Sequence, residues 1–320
     1  MKALLLAGGL GTRLRPLTFT RPKHLLPIAN RPHIEHVFDL LLRHGIHEVV
    51  LTTSYLAEAF EETRRIVAGR GIDLRVTHEE VPLGTAGALK NAESEIGGGT
   101  FMVFNADVLT DVDLGEVMSF HAGRSAEATI LLTAVEDPSA FGVVPTDDDG
   151  RVTGFIEKPS RDEAPTNMIN AGVYVLEPSV LERVPPGREW SLERALFPDL
   201  VGDGAPVYAT PTTANWMDVG TPEKYLRANM DAIAGRFHTG AGPAVAPDAS
   251  IDDTAAVRSS CVGAGSRVEA GAVVEDSVLL PGVLVSRSAK VSRCILGEGV
   301  VVREGAQISG ATVGDHESAE

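Results

Sequence analysis

Near the start of the chain three glycines are followed by three cations. Along Leu4-Leu5-Leu6-Ala7-Gly8-Gly9-Leu10-Gly11-Thr12-Arg13-Leu14-Arg15 an apolar run of strand length stops at a glycine pair, Gly11 follows, and Arg13, Arg15 and then Lys23 add positive charge. Glycines let a backbone turn sharply and bare its N–H groups. Guanidinium and ammonium donors make charge-assisted hydrogen bonds to phosphate oxygens, so the chemistry suited here is capture of an anion with several phosphate charges. A second pattern, Phe101-Met102-Val103-Phe104-Asn105-Ala106-Asp107, puts an aspartate at the tip of an apolar run. Such a carboxylate suits a hard cation that bridges phosphate oxygens. Asp111 and Asp113 read instead as loop and cap residues, Asp113 because it precedes a helical stretch from Leu114 to His121.

Two common phosphate loops do not fit. The dinucleotide fingerprint runs straight into a helix, whereas Pro16, Pro22 and Pro27 follow these glycines and forbid a long one. The triphosphatase loop needs a Lys-Ser or Lys-Thr pair after its glycines, and none is present.

The elements that must position these groups follow from periodicity. Ile34 to His44 has helical spacing and stops at Gly45; Glu48 to Thr52 reads as a strand; Leu56 to Ala68 reads as a helix stopped by Gly69, and Leu74 to His78 as a strand. Alternating strand and helix predicts an α/β fold with a mostly parallel sheet, which binds ligands beyond the C-terminal ends of its strands. Glu79 to Gly87 lies at such an end, with Pro82 and Gly84 fixing a turn and Thr85 expected to cap the next helix. Strands are predicted over 128–134, 141–144 and 152–156, the last ending in Glu157-Lys158-Pro159, and Gly142 would let a ligand approach backbone closely. Asn170-Ala171-Gly172 opens a strand from Val173 to Leu176, and Thr221-Pro222 starts a helix that runs to about Ala234.

Residues 237–247 are rich in Gly, Ala and Pro and read as a linker. From the end of that stretch Val245, Ile251 and Val257 recur every six residues, Val262, Val268, Val274 and Leu280 continue after a one-residue slip, and Val285, Val291, Val302 and Ile308 keep the rhythm loosely. That texture predicts a parallel β-helix of roughly four coils, which seeks cover for its ends. No histidine lies between Val245 and Val313, so the usual base for acyl transfer is missing and assembly or regulation is the expected role. The tail from Gly314 to Glu320 is expected to fray. His33/His36 and His44/His47 have helical spacing and are placed on helix surface rather than on a metal.

At 320 residues, 43% of them apolar, the chain has room for two domains. A formal charge of −16 disfavours nucleic acid and anionic membranes as partners. The two cysteines, Cys261 and Cys294, have no metal-site spacing and read as core residues. No secretory core and no membrane-length apolar run occurs, so a cytoplasmic location is expected.

Ala7 to Thr18 followed by Pro22-Lys23 resembles the opening motif of the sugar-nucleotide pyrophosphorylases, nucleotidyltransferases acting on sugar 1-phosphates. Glu79 to Gly87, Asn105-Ala106-Asp107, Glu157-Lys158-Pro159, Asn170-Ala171-Gly172 and Trp216 to Gly220 fit the same family in order, most like its mannose-1-phosphate guanylyltransferase branch. The resemblance implies a Rossmann-like nucleotidyltransferase domain over 1–236 and, after the linker, a short left-handed parallel β-helix over 248–320. It implies that a nucleoside triphosphate, GTP by branch, is held by Leu6, Ala7, Gly8, Gly9, Gly11, Thr12, Arg13 and Lys23, with Glu79, Pro82, Gly84, Thr85, Asn105 and Asp107. It assigns the sugar phosphate to Gly142, Glu157, Lys158, Asn170 and Gly172, chemistry to Arg13, Lys23 and Lys158, and Mg²⁺ to Asp107 and Asp218. A homo-oligomer is expected. His24 and Ala106 depart from the family pattern and put base choice in question. As for the base, the Glu79 carboxylate only accepts hydrogen bonds and would suit guanine donors; alternatively Glu79 faces solvent and backbone reads the base. Thymidylyl or uridylyl transfer to glucose 1-phosphate, and a silent regulatory subunit, are the competing readings. The regulator would be expected to have lost some of Arg13, Lys23, Asp107, Lys158 and Asp218, and all five are present.

Overall fold

The computed structural model of the chain describes residues 1–238 and 242–320. They form two compact units that interleave along the chain, 1–9 with 40–216 and 10–39 with 217–320.

The first unit is built on a nine-stranded sheet. At its centre β1 (Lys2–Leu6) runs parallel to β2 (Glu48–Thr53) on one side and to β4 (Phe101–Asn105) on the other, and β3 (Asp73–His78) extends the sheet beyond β2. Leu4, Leu5, Val50, Leu51, Met102 and Val103 are at most 2% exposed, which fits strands covered on both faces. Beyond β4 come β5 (Ala128–Ala134), β6 (Gly142–Val143), β7 (Ile156–Glu157), β8 (Met168–Leu176) and β9 (Val207–Thr212). β8 is antiparallel to β4 and β5, while β9 lies parallel to β5.

Several elements differ in detail from the sequence reading. The helix expected from Leu56 opens as a 3₁₀ turn at Ala57–Ala59 before the α-helix Phe60–Ala68. In place of a strand over 152–156 there are isolated bridges at Arg151 and Val152 and then β7. β8 starts at Met168 and takes in Asn170-Ala171-Gly172 through a register shift between Asn170 and Tyr174, made possible by Gly172 at φ 72°. Asp113 does cap its helix, accepting from the amides of Gly115 and Glu116.

The second unit joins the 10–39 segment to the helix Pro222–Ile233 and the β-helix. Thr221 caps that helix with Pro222 in its first turn. Tyr225 Oη donates to Pro27 O at 2.6 Å, and Asn229 accepts from the amide of Ala29 at 2.9 Å. Asn30 Nδ2 donates to the carbonyls of Pro243 and Val262. His33 and His36, expected on helix surface, are 2% and 1% exposed. Helical spacing fixes which residues share a face, but His33–Arg43 is covered nearly all round. The expected linker, 237–247, is described only in part; 239–241 lie outside the described residues.

In the β-helix, strands stack in parallel with partners 17 residues apart: Ser250 on Arg267, Leu284 and Val301; Ala256 on Val273, Lys290 and Gln307; Cys261 on Val278, Ile295 and Thr312. The one-residue slip read once in the sequence therefore recurs in every coil. Val262 stacks on Leu279, not on Leu280. Corners repeat at the same interval, with Ser259, Asp276, Arg293 and Gly310 all at positive φ. Ser260 Oγ accepts from Ser277 N and Ser277 Oγ from Cys294 N, so Cys294 sits where the earlier coils place serine. Cys261 and Cys294 are buried and free, as core residues. The tail does not fray: Ser318–Ala319 pairs with Val301–Val302 as the last rung.

Candidate active site

In the first unit, the glycine turn leaves β1 beside the ends of its neighbours. Ala7 N donates to Thr52 O, Ala106 N to Leu6 O, and Ser54 Oγ to Gly8 O at 2.8 Å. Glu79 follows β3 with its amide on Thr53 O. Its side chain is buried at 4% exposure, so the solvent-facing alternative is excluded. Oε2 accepts from Leu83 N at 2.9 Å, closing the turn that holds Pro82 and Gly84. A Cβ on Gly8 would lie 3.5 Å from both Glu79 Oε1 and Ser54 Oγ, so the carboxylate reaches the glycine turn itself. Burial raises the Glu79 pKa, against the opposing Leu83 N–H and nearby His78.

Thr85 does not cap the helix Gly84–Asn91. That helix starts from Leu83 with no side-chain cap, and Thr85 Oγ1 instead donates to Glu193 Oε2 at 2.9 Å and accepts from Leu192 N at 2.7 Å. Gly84 is at φ 71°, and a Cβ there would stand 2.8 Å from Trp190 O, so this backbone is packed against the 188–190 segment.

On the other side of β4, Asn105 and Asp107 are half-buried at the strand tip. Gly172 packs directly on Asn105: a Cβ would stand 2.8 Å from Asn105 Nδ2. Asn170 holds the bulge, its Oδ1 accepting from Gly172 N and its Nδ2 donating to Tyr174 Oη at 2.7 Å. Tyr174 Oη lies 3.3 Å from Glu193 Oε1. Gly142 is pressed against Phe155 and lies beside Glu157 Oε2, while Glu157 Oε1 is 3.5 Å from Lys158 Nζ. Lys158 is exposed, at φ 51°, with its amide on Phe141 O. Trp216 Nε1 donates to Ala171 O, and Asp111 takes the amide and side chain of Asn215, fixing the segment before Asp218.

In the second unit, Gly11 at φ 62° starts the 3₁₀ turn Thr12–Leu14, and Thr18 Oγ1 donates to Gly11 O. A Cβ on Gly11 would stand 3.2 Å from Lys23 Cβ. Arg13 is exposed and meets Asp218 at Gly220, where a Cβ would stand 2.8 Å from Arg13 Nη2 and 3.0 Å from Asp218 Oδ1. Asp218 Oδ2 is 3.0 Å from Lys224 Nζ. Thr12 is exposed here, and Leu6, at the end of β1 in the first unit, is half-buried.

Ser54, Tyr174 and Glu193 belong to these clusters without having been singled out in the sequence. Glu193 had a local signal: Ser191 caps the helical turn Leu192–Leu196 that carries it, accepting from the amides of Glu193 and Arg194.

Residues 2–235 match the family described as Nucleotidyl transferase, and residues 235–319 the one described as GlmU-like, C-terminal hexapeptide. The chain belongs to the nucleotidyl transferase family. A mannose-1-phosphate guanylyltransferase of Mycobacterium tuberculosis is 41% identical over 83% of this chain and 78% of its own length. The catalytic subunit beta of the Drosophila pseudoobscura pseudoobscura enzyme of that name is 39% identical over 81% of this chain and 71% of its own. Among solved structures, HddC of Yersinia pseudotuberculosis complexed with GMP-PN is similar with a TM-score of 0.63 and 28% identity, over 72% of this chain and 99% of that one. Nucleotidyl transferases of this kind join a nucleoside triphosphate to a sugar 1-phosphate, generally with a divalent metal.

Among the described residues no group of three or more His, Cys, Asp or Glu is placed to hold a metal. Carboxylate oxygens are the ligand type that a hard ion takes, beside water and phosphate oxygens. No helix among the described residues is long and apolar enough to cross a membrane.

Proposed function

We propose that this nucleotidyl transferase joins GTP to mannose 1-phosphate, releasing pyrophosphate. The observation that carries the choice of base is Glu79, a buried carboxylate against the glycine turn with one oxygen committed to Leu83 N. Its other oxygen suits the N1–H and amino donors of guanine and opposes the carbonyls of uracil or thymine. The guanylyltransferase names of the relatives and the GMP-PN complex of HddC support the same reading.

The nucleophile is already a phosphate anion, so no general base is needed. Its oxygen bonds to the α-phosphorus as the bond to the β-phosphate oxygen breaks, and catalysis consists of positioning and charge neutralisation. The amides of Gly8 to Gly11 and Arg13 would hold the β and γ phosphates and steady the departing pyrophosphate. Lys23 would neutralise charge at the α-phosphate; Lys158 would orient the sugar 1-phosphate; Glu157 and Asn170 would take its hydroxyls. Asp107 and Asp218 would hold Mg²⁺, which neutralises phosphate charge when bound. The reaction draws on cytoplasmic triphosphates, and the β-helix would support a homo-oligomer.

Pyrophosphate release from each triphosphate with a panel of sugar 1-phosphates tests this reading. GTP with mannose 1-phosphate is expected to be fastest, and Glu79→Gln is expected to shift the GTP-to-UTP preference by ~10–100-fold, the effect of one mismatched buried polar group. Preference of the unaltered protein for UTP or dTTP would select the uridylyl or thymidylyl alternative, and silence with every pair would select the regulatory subunit.

A further inference from the structure

The segment between Arg13 and Lys23 is tied to the end of the β-helix. Arg21 Nη2 donates to Glu298 Oε2 at 2.7 Å and to Asp315 Oδ2 at 2.8 Å. Thr20 Oγ1 donates to the same Asp315 oxygen, and Asp315 Oδ1 accepts from Glu298 N at 2.8 Å. Pro16 adds a packing contact, since a Cβ on Gly314 would stand 3.2 Å from Pro16 Cβ. Asp315 is only 6% exposed and Arg21 20%, so this is no solvated surface pair.

The repeat supplies a second, independent observation. Positions 298 and 315 are the same corner of successive coils, 17 residues apart, and the corresponding corners of the two preceding coils hold Ala264 and Pro281. Only the last two coils bear acids at this corner, and they are the two that meet Arg21. Arg21 is joined to Lys23 through Pro22, whose ring limits φ, so a fixed Arg21 narrows where Lys23 can sit. In the other direction, the turn bonds Phe19 N to Pro16 O and Leu17 N to Leu14 O, with Thr18 Oγ1 on Gly11 O, lead back to Arg13.

We propose that Arg21 is a positioning residue, and that the last two coils of the β-helix act through it as an anchor for the phosphate loop and so set turnover. This rests on the reading that Arg13 and Lys23 meet the triphosphate. The β-helix then does more than assemble subunits, because anything that bends its terminal coils displaces the loop's cations. Displacements on the order of 1 Å can cost up to ~10²-fold in rate.

The test uses the full-length chain with Arg21→Ala, Arg21→Lys, Asp315→Asn and the Arg21→Ala/Asp315→Asn double variant, assayed for pyrophosphate release, with exchange of the amides of residues 11–20 followed in parallel. The expected result is a ~10-fold lower kcat in each of Arg21→Ala and Asp315→Asn with KM for sugar 1-phosphate little changed. The double variant should be no worse than the poorer single one, Arg21→Lys should recover part of the loss, and exchange over 11–20 should be faster. Folded single variants with turnover within twofold of the parent, or losses that multiply in the double variant, overturn the proposal. If Arg21→Ala does not fold, Glu298→Gln and Asp315→Asn decide by the same criteria. If the unaltered protein turns over no substrate pair, the assigned chemistry fails, and the exchange data alone judge the anchor: faster exchange over 11–20 supports it and unchanged exchange refutes it.

Discussion

Polar groups at the sheet's strand tips and polar groups in the β-helix are held in opposite ways. At the tips every contact occurs once: Ser54 on Gly8 O, Leu83 N on Glu79, Asn170 on Tyr174 and Tyr174 on Glu193. In the β-helix a contact recurs each 17 residues, as in the run of Ser260, Ser277 and Cys294. Unrepeated contacts can aim a side chain at a substrate, because nothing forces the neighbouring segment to copy them. Repeated contacts make a scaffold, on which a break in the pattern such as Glu298 and Asp315 marks a place with a task of its own.

The sharpest way to break this contrast is Asp107→Ala. Loss of one charge-positioning group at a tip should cut turnover by ~10²–10³-fold with an unchanged circular-dichroism spectrum; a lost fold would make Asp107 scaffold rather than site.

Acid should next set a buried histidine apart from the coils. Burial, helped by the charge of Arg31 and opposed by the carbonyls of Ile28 and Arg31 and the charge of Glu35, holds the His36 pKa down at about 4. A histidine held below its unfolded value of about 6.5 takes up protons more readily when unfolded, so stability is full above that pH and falls as pH drops toward 4. The loss is on the order of 3 kcal/mol. Denaturant unfolding between pH 7 and pH 4 should show it, and His36→Gln should flatten the profile. The coils from Val245 to Val313 contain no histidine and so have no group of this kind to titrate near pH 6.

The smallest effect is expected inside a coil. Val274 is fully buried between Val257 and Val291, and Val274→Ala should cost about 2 kcal/mol in urea unfolding while leaving activity per folded molecule unchanged. A large fall in activity would show that these coils too transmit to chemistry.

Much of the fold was legible because it rests on local rules. Apolar runs ending in Gly8 and Asp107, the Asp113 and Thr221 caps and the six-residue rhythm each need only a few neighbouring residues to be read. Reading failed where a distant partner claimed a group. Thr85 looks like a cap until Glu193 takes its hydroxyl, and His36 looks like helix surface until other segments cover both sides of its helix. The tail looks frayed until Ser318 and Ala319 find Val301 and Val302.

By itself, then, the sequence determined which chemistry is possible: glycines and cations of the kind that suit phosphates, carboxylates of the kind that suit a hard ion, and a stack of coils, since residue type and short spacing carry that information. Only the tertiary structure decided what each polar group faces. It buried Glu79 against Gly8, joined Thr85 to Tyr174 through Glu193, and set Arg21 on two acids nearly three hundred positions away along the chain. The physical reason is that a hydrogen bond or close ion pair needs its partner within about 3–4 Å, and for these groups the fold, not the adjacent sequence, supplies the partner.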